Sequence, residues 1–301
     1  MSAPKPNITD VALIFEGGGM RCSYTAGVVA TLLENDLNFG AVYGISAGAS
    51  HGANYLSRDV RRAKSCFVDL VKDPEFGGYR SMAEGKGFFN GVYLYEGVAE
   101  RVTDPDNLLY YDFDTFADNE ATFSIEAFDW DTGETKLFTK EDMGSAYDLM
   151  LEVRASSTMP FFMPPVTIDG HTYVDGGLGS SWGIPLLQAV KDGYSRFFIV
   201  RSQPRDYRKK PMKPAAAAIF KMLFARHPLV GENTVNRWAF YNGMVETINQ
   251  LEDEGYAYVF YPEEMKVTNK TTDYDLLAHS LASGIAQANK ELPLWEKWLQ
   301  S

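Results

Sequence analysis

The sequence predicts an α/β fold, a three-layer sandwich in which a mostly parallel central sheet is flanked by helices. Residues 11–15 (Val-Ala-Leu-Ile-Phe) and 41–43 (Ala-Val-Tyr) are short continuous apolar runs, the pattern of strands buried on both faces. Each run leads into glycine and then a helical pattern, so residues 11–57 read as strand, glycine loop, helix, strand, sharp turn, helix. Two such units in succession imply a parallel sheet covered by helices. Composition agrees: of 301 residues, 45% are hydrophobic and 23% charged, which excludes a disordered or collagen-like chain. A chain of this length buries about three-quarters of its unfolded surface and needs no disulfide or metal staple.

From Ser23 to Glu34 the residues Tyr24, Val28, Val29, Leu32 and Leu33 recur at helical spacing, and the small-residue stretch Ala47–Leu56 reads as a second helix. Residues 58–120 are charged, with a glycine-rich loop at Gly77–Gly91, and give no periodic signal from which to assign elements. Thr122–Phe128 and Glu134–Thr139 form a hairpin through Asp131-Thr132-Gly133. A helix over 145–156 is halted by Pro160, Pro164 and Pro165. A second hairpin joins Val166–Ile168 to Thr172–Val174 through Asp169-Gly170-His171, and Arg196–Arg201 holds a core strand, Phe-Phe-Ile-Val.

Beyond Ser202 the composition shifts: Tyr207–Gly231 contains six Lys/Arg and no acid. Within it Ile219, Phe220 and Leu223 share a helical face. A longer helix is expected from Glu232 to Gln250 with Trp238, Tyr241, Val245 and Ile248 inward, then a strand at Tyr256–Tyr261 and a helix over 273–300 broken at Pro293. Without repeats or linkers, residues 1–301 read as one domain, a motif-bearing core over about 10–205 with a helical extension, about 206–301, packed on it.

The charge balance, 28 basic against 40 acidic residues for a net −12, excludes a nucleic-acid binder that works by general electrostatic attraction. The first residues, Met-Ser-Ala-Pro-Lys-Pro-Asn, lack the apolar stretch of a signal peptide, and no run of about 18 apolar residues suits a membrane span. Cys22 and Cys66 are far apart and in no ligand pattern, so reduced thiols and a cytoplasmic location are expected, with no metal or cofactor.

Three motifs carry chemistry. Gly44-Ile45-Ser46-Ala47-Gly48 is a G-x-S-x-G between an expected strand and an expected helix. Its glycines permit a turn tight enough to lift the serine hydroxyl out of the sheet; the plainer reading is a glycine-lined turn. Gly17-Gly18-Gly19-Met20-Arg21 follows the first strand, and glycine amides there can point at an anion. A P-loop would need a Lys-Ser/Thr pair, and a dinucleotide fold would need glycine where Cys22 stands. That leaves an oxyanion hole beside the Ser46 turn, or a plain turn. Asp175-Gly176-Gly177 closes the strand Thr172–Val174, either as an Asp-Gly turn or as a carboxylate partner for Ser46.

A Ser-His-Asp triad needs a histidine, and the chain offers four. His51 lies on the helix that follows Ser46, His171 in the hairpin turn, His227 before a proline, and His279 among leucines; each reads as structural or solvent-facing. Ser46 also comes after a single strand-helix unit, too early for an α/β-hydrolase. A serine assisted directly by aspartate remains.

In their order and spacing these motifs resemble those of the patatin-like phospholipases. The glycine loop looks like that family's oxyanion loop, the Ser46 turn its nucleophile elbow, and Asp175-Gly176-Gly177 its aspartate motif. Ala155-Ser156-Ser157 with Pro160–Pro165 is similar to the helix and proline-rich turn before that aspartate. The resemblance covers about residues 10–205, and the remainder looks like the extension of a bacterial branch of the family. It implies a patatin-like sandwich and a Ser46–Asp175 dyad. It also implies an oxyanion hole from Gly17, Gly18, Gly19 and Met20, supported by Arg21, Gly44, Gly48, Gly176 and Gly177. The implied activity is cofactor-free hydrolysis of acyl esters of phospholipids, lysophospholipids or related lipids through an acyl-enzyme. Cys22 stands where the family usually has glycine, so the loop exit is expected to differ, because cysteine does not adopt positive φ cheaply.

The basic stretch 208–226 is the expected lid or peripheral membrane contact; its plainer reading is a solvated helix packed through Phe220 and Leu223. Two rival functions are a lipid-binding or regulatory protein of the same fold, and a nucleotide-binding module. The intact Ser46 and Asp175 argue against the first, and the missing phosphate lysine argues against the second. No feature indicates an oligomeric state.

Overall fold

The computed structural model describes residues 5–301; the first four residues of the N-terminal stretch discussed above lie outside that range. Two strand-helix units open the chain: β1 (Ala12–Phe15), α1 (Cys22–Glu34), β2 (Ala41–Gly44) and α2 (Ala47–Leu56). Residues 58–120 form four short helices, α3 (Val60–Ser65), α4 (Tyr79–Ala83), α5 (Gly97–Arg101) and α6 (Phe113–Asp118). There follow a hairpin, β3 (Thr122–Asp129) and β4 (Thr135–Thr139), then α7 (Ala146–Ser157) and a second hairpin, β5 (Val166–Ile168) and β6 (His171–Asp175). The chain continues through α8 (Leu186–Lys191), β7 (Phe197–Val200), α9 (Pro214–Leu223), α10 (Pro228–Asp253), β8 (Ala257–Phe260) and α11 (Tyr274–Leu299).

All eight strands join one sheet, in the order β5-β6-β3-β2-β1-β7-β8 with β4 also on β3. The pairs from β3 through β2, β1 and β7 to β8 are parallel, and the hairpins at the other side are antiparallel. β1 is buried throughout, and its side chains alternate between two cores. Leu13 and Phe15 pack with α1, α2, α7 and α11, whereas Ala12 and Ile14 pack with Leu186 of α8 and Tyr241, Val245 and Ile248 of α10. This is the expected three-layer arrangement.

The strand β3 positions the site. Its Ile125 pairs with Gly44 at the end of β2, and its Ala127 pairs with Asp175 at the end of β6. Residues 129 positions apart in sequence thus meet within two steps of one strand, roughly 7 Å along it.

The segment after 206 contributes the edge strand β8 and two long helices. α11 lies so close to α1 that a Cβ at Gly284 would collide with the Tyr24 carbonyl oxygen. Ser23 donates to Ser280 at 2.9 Å, and the Tyr24 hydroxyl to Gln287 at 2.6 Å.

Two expectations fail here. α11 is not broken at Pro293 but runs through it. An interior proline costs about 3 kcal/mol; beyond it Trp295 is fully buried against Phe198 and Phe260, and burying a large side chain offsets that cost. Trp238 is not inward but 37% exposed. The stripe that reaches the sheet is Tyr241, Val245 and Ile248, and where α10 leaves the sheet Arg237, not Trp238, turns towards the protein.

Two carboxyls are buried without full satisfaction. Glu126 accepts from Ser181 at 2.7 Å through one oxygen, and the other oxygen has no partner; burial pushes its carboxyl up to about 7. Glu152 of α7 also has an unpartnered oxygen; burial, aided by Asp142 and Asp148, raises it to about 8. A carboxyl raised in the folded state gives stability below its unfolded value that is lost as pH rises through the folded one. Glu152→Gln is therefore expected to gain on the parent from pH 4.5 to pH 8, by at most about 1.4 kcal/mol per unit. Urea unfolding at both pH values measures this, and a constant difference would show that Glu152 ionises normally.

Candidate active site

The turn from β2 to α2 puts Ser46 at φ +57°, ψ −130°. A non-glycine residue there costs on the order of 1–3 kcal/mol and persists only when its surroundings hold it. Two features do so. A Cβ at Gly44 would lie 2.5 Å from the Gly48 oxygen, so the turn closes only with glycine at its start. The Ser46 N–H donates to Ser156 Oγ at 2.8 Å, and that hydroxyl donates to the Glu126 carbonyl at 2.7 Å. Ser156 belongs to the Ala155-Ser156-Ser157 run singled out in the sequence, and its place is behind the turn.

The Ser46 hydroxyl donates to Asp175 Oδ2 at 2.9 Å, and both residues are buried. Asp175 Oδ1 accepts from the Gly177 N–H at 2.8 Å, and the Asp175 N–H donates to the Thr158 carbonyl at 2.7 Å. The carboxylate is thus aimed from both sides.

The glycine loop lies against this pair. Gly19 has φ +55°, and a Cβ there would lie 2.5 Å from the Asn269 oxygen. Of the four amides expected as oxyanion donors, two are already engaged: Gly17 donates to Gly183 at 3.0 Å and Met20 to Asn269 at 3.2 Å. The Gly18 and Gly19 N–H groups have no acceptor among the described residues, and both residues line a cleft with Ser46. Gly17 and Met20 are thus committed to carbonyls of turns remote in sequence. Cys22 needs no glycine: its φ is −67° and it begins α1 in ordinary helical geometry. Its thiol is fully buried, and that burial pushes it up to about 12.

Beneath the loop is a network the sequence did not announce. Glu16, the residue before Gly17, accepts from Arg201 Nε at 2.8 Å, the Ser202 N–H at 2.7 Å and the Tyr241 hydroxyl at 2.6 Å. Arg201 also donates to the Tyr241 hydroxyl at 2.9 Å. Burial alone would raise the Glu16 carboxyl, but Arg201 and these donors outweigh it and hold it below the usual value.

Two clefts meet at Ser46. The inner one, a narrow cavity of about 100 Å³, is mostly apolar, with Met20, Phe67, Leu70, Phe89, Met150 and Met163 on its walls. Eight of its nineteen lining residues come from residues 58–120; a π-helical turn, Val92–Glu96, brings Leu94 and Tyr95 to it. The outer cleft is lined by the loop glycines, Asp175, Phe162 and Phe220, with Arg21 and Arg237. Phe162 and Met163 line these clefts, whereas Phe161 beside them is 55% exposed.

No histidine joins Ser46. His51 is buried between Phe15 and Phe67 with Nε2 2.8 Å from Thr25, and burial lowers it to about 3, so it is neutral. His171 pairs with Asp129, His227 with Asp131, and His279 with Glu264. Among the described residues no cluster of His, Cys, Asp or Glu is arranged to hold a metal, and no helix is long and apolar enough to cross a membrane.

Comparison with known proteins adds three findings. A family model described as patatin-like phospholipase matches residues 13–190, more than half of the chain, and a domain of unknown function matches residues 227–300. The uncharacterized protein YjjU of Escherichia coli (strain K12) is 26% identical over 199 residues, covering 64% of this chain and 52% of that protein. The chain thus spans about half the length of this curated relative. The crystal structure of VipD from Legionella pneumophila superposes with a TM-score of 0.53 at 14% identity, over 97% of this chain and 67% of VipD. At that identity the likeness is one of fold alone.

Proposed function

The chain belongs to the patatin-like phospholipase family, and from that premise we propose that it is a serine acyl-ester hydrolase working through a Ser46–Asp175 dyad. The observation that carries the reading is the 2.9 Å hydrogen bond from the Ser46 hydroxyl to Asp175 at a strained turn facing two unengaged amides. Asp175 takes the hydroxyl proton as Oγ attacks the ester carbonyl. The oxyanion of the tetrahedral intermediate is held by the Gly18 and Gly19 N–H groups; one such donor is worth on the order of 3 kcal/mol. The proton returns to the leaving alcohol, and water activated by Asp175 then hydrolyses the acyl-enzyme. The inner apolar cleft takes the acyl chain, and phospholipids or lysophospholipids are the substrates.

A fluorophosphonate label mapped by mass spectrometry tests this directly. Modification at Ser46, absent in Asp175→Asn, is expected; labelling elsewhere would move the activity to another site.

The same reading gives α9 a role at a lipid surface. α9 has no buried residue, and the expected packing through Leu223 is absent: Ile219, Met222 and Leu223 are more than half exposed. Phe220 lines the outer cleft, so this apolar face borders the dyad's opening, with Lys213, Lys221 and Arg226 nearby in sequence. An exposed apolar helix face flanked by cations suits an anionic bilayer interface. Replacing Ile219, Met222 and Leu223 together by glutamate is expected to lower sedimentation with phosphatidylglycerol vesicles at least tenfold. Unchanged sedimentation would remove this role.

A further inference from the structure

The outer cleft contains two arginines, Arg21 and Arg237, that form no ion pair among the described residues. Arg21 leaves the glycine loop, and Arg237 projects from α10, within the segment matched only by a domain of unknown function. The Nε of each is buried without a hydrogen-bond partner, and among the described residues neither guanidinium forms an ion pair. Arg154, Arg196, Arg201, Arg205 and Arg208 pair with carboxylates, and Arg62, which also has an unpartnered Nε, donates to the Asn54 amide oxygen; among the described residues Arg21 and Arg237 have neither kind of partner. Asp175 lines the same cleft, but among the described residues neither guanidinium comes within ion-pair distance of it, and its oxygens accept from Ser46 and Gly177.

Room has been kept for Arg237. A Cβ at Gly177 would collide with its Nη2, and a Cβ at Gly183 would lie 2.9 Å from the same atom. The last glycine of the aspartate motif thus leaves space that a guanidinium from the C-terminal segment occupies beside the dyad. A third cation is close, for burial, reinforced by Arg237 and Arg21, lowers the Lys209 ammonium to about 7. Gathering partly buried like charges is costly where no carboxylate pairs with them directly, and guanidinium forks match phosphate oxygens in pairs.

We propose that Arg21 and Arg237 form an anion subsite that clamps a phosphate of the substrate's head group, so that the preferred ester is an anionic phospholipid or lysophospholipid. Arg237 is then a specificity-determining residue supplied by the C-terminal segment. The inference rests on the hydrolase reading for its catalytic consequence, but the binding it requires does not depend on turnover.

Calorimetric titration of the Ser46→Ala protein with an ether-linked lysophosphatidate and with the matching uncharged monoalkylglycerol, both below micelle formation, tests the binding. The phosphate ligand is expected to bind at least tenfold more tightly, and Arg237→Gln to abolish that preference while Arg237→Lys restores part of it. Equal affinities, a preference that survives Arg237→Gln, or inorganic phosphate binding as tightly as the lipid would each overturn the proposal. With active enzyme, Arg237→Gln should raise KM for lysophosphatidate about tenfold more than for p-nitrophenyl butyrate, with little difference in kcat. Equal effects on the two KM values would make Arg237 structural. Failure of all turnover with the binding preference intact would sink the hydrolase reading and leave the subsite.

Discussion

Ser46→Ala and Asp175→Asn are each expected to lower kcat/KM for short-chain p-nitrophenyl esters by on the order of 10³–10⁴, and the double variant by little more. The two side chains act on one proton, so removing either removes the same step and the losses do not add. What survives is catalysis from the Gly18 and Gly19 amides and from the inner cleft, neither of which the substitutions touch. The turn adds a second readout. Because Ser46 sits at φ +57°, Ser46→Gly removes backbone strain as well as the nucleophile. That variant should be inactive yet more stable than the parent by about 1 kcal/mol, seen as a higher melting temperature. Loss of activity together with loss of stability would mean that Ser46 serves the fold and that the nucleophile lies elsewhere. Losses that add in the double variant would mean that Ser46 and Asp175 act separately.

What could be read from the sequence follows the range of the forces involved. Val-Ala-Leu-Ile-Phe and Ala-Val-Tyr declare buried strands because each is local and continuous, and the glycines at 44 and 48 declare a tight turn for the same reason. Even the meeting of Ser46 and Asp175 could be anticipated from motif order, although the cause, the pairing of Gly44 and Asp175 to positions two apart on β3, could not. Residues 58–120 resisted because α3, α4 and α6 are five or six residues long, and the longer helical run over 91–101 contains a π-helical turn that breaks the period of 3.6. Yet they supply eight of the nineteen residues that line the apolar cleft. Gly17 and Met20 looked like donors until the turns around Gly183 and Asn269, far along the chain, claimed them. Arg237 was hidden by Trp238: at a helix face an aromatic looks like the inward residue, and only the cleft reveals that the guanidinium holds that place.

Arg201→Met is expected to be the most damaging substitution outside the dyad, lowering stability by about 3–5 kcal/mol, because it leaves Glu16 charged and buried with its main partner gone. The loss should exceed that of an ordinary core truncation of similar volume, since the penalty is the stranded charge and not the missing contact. The two states of Glu16 make this separable. Glu16→Gln combined with Arg201→Met removes the charge and should recover much of the stability lost in Arg201→Met alone, a coupling readable as a double-mutant cycle in urea. Activity should not recover with it. Glu16 immediately precedes the glycine loop, and its carboxylate holds the Ser202 N–H and the Tyr241 hydroxyl, joining β1, the end of β7 and α10 under that loop. A neutral pair of similar shape can fill the space without fixing those three elements in register. If the double variant regains both stability and full turnover, the network is scaffold only; if it regains neither, packing and not charge holds the loop in place.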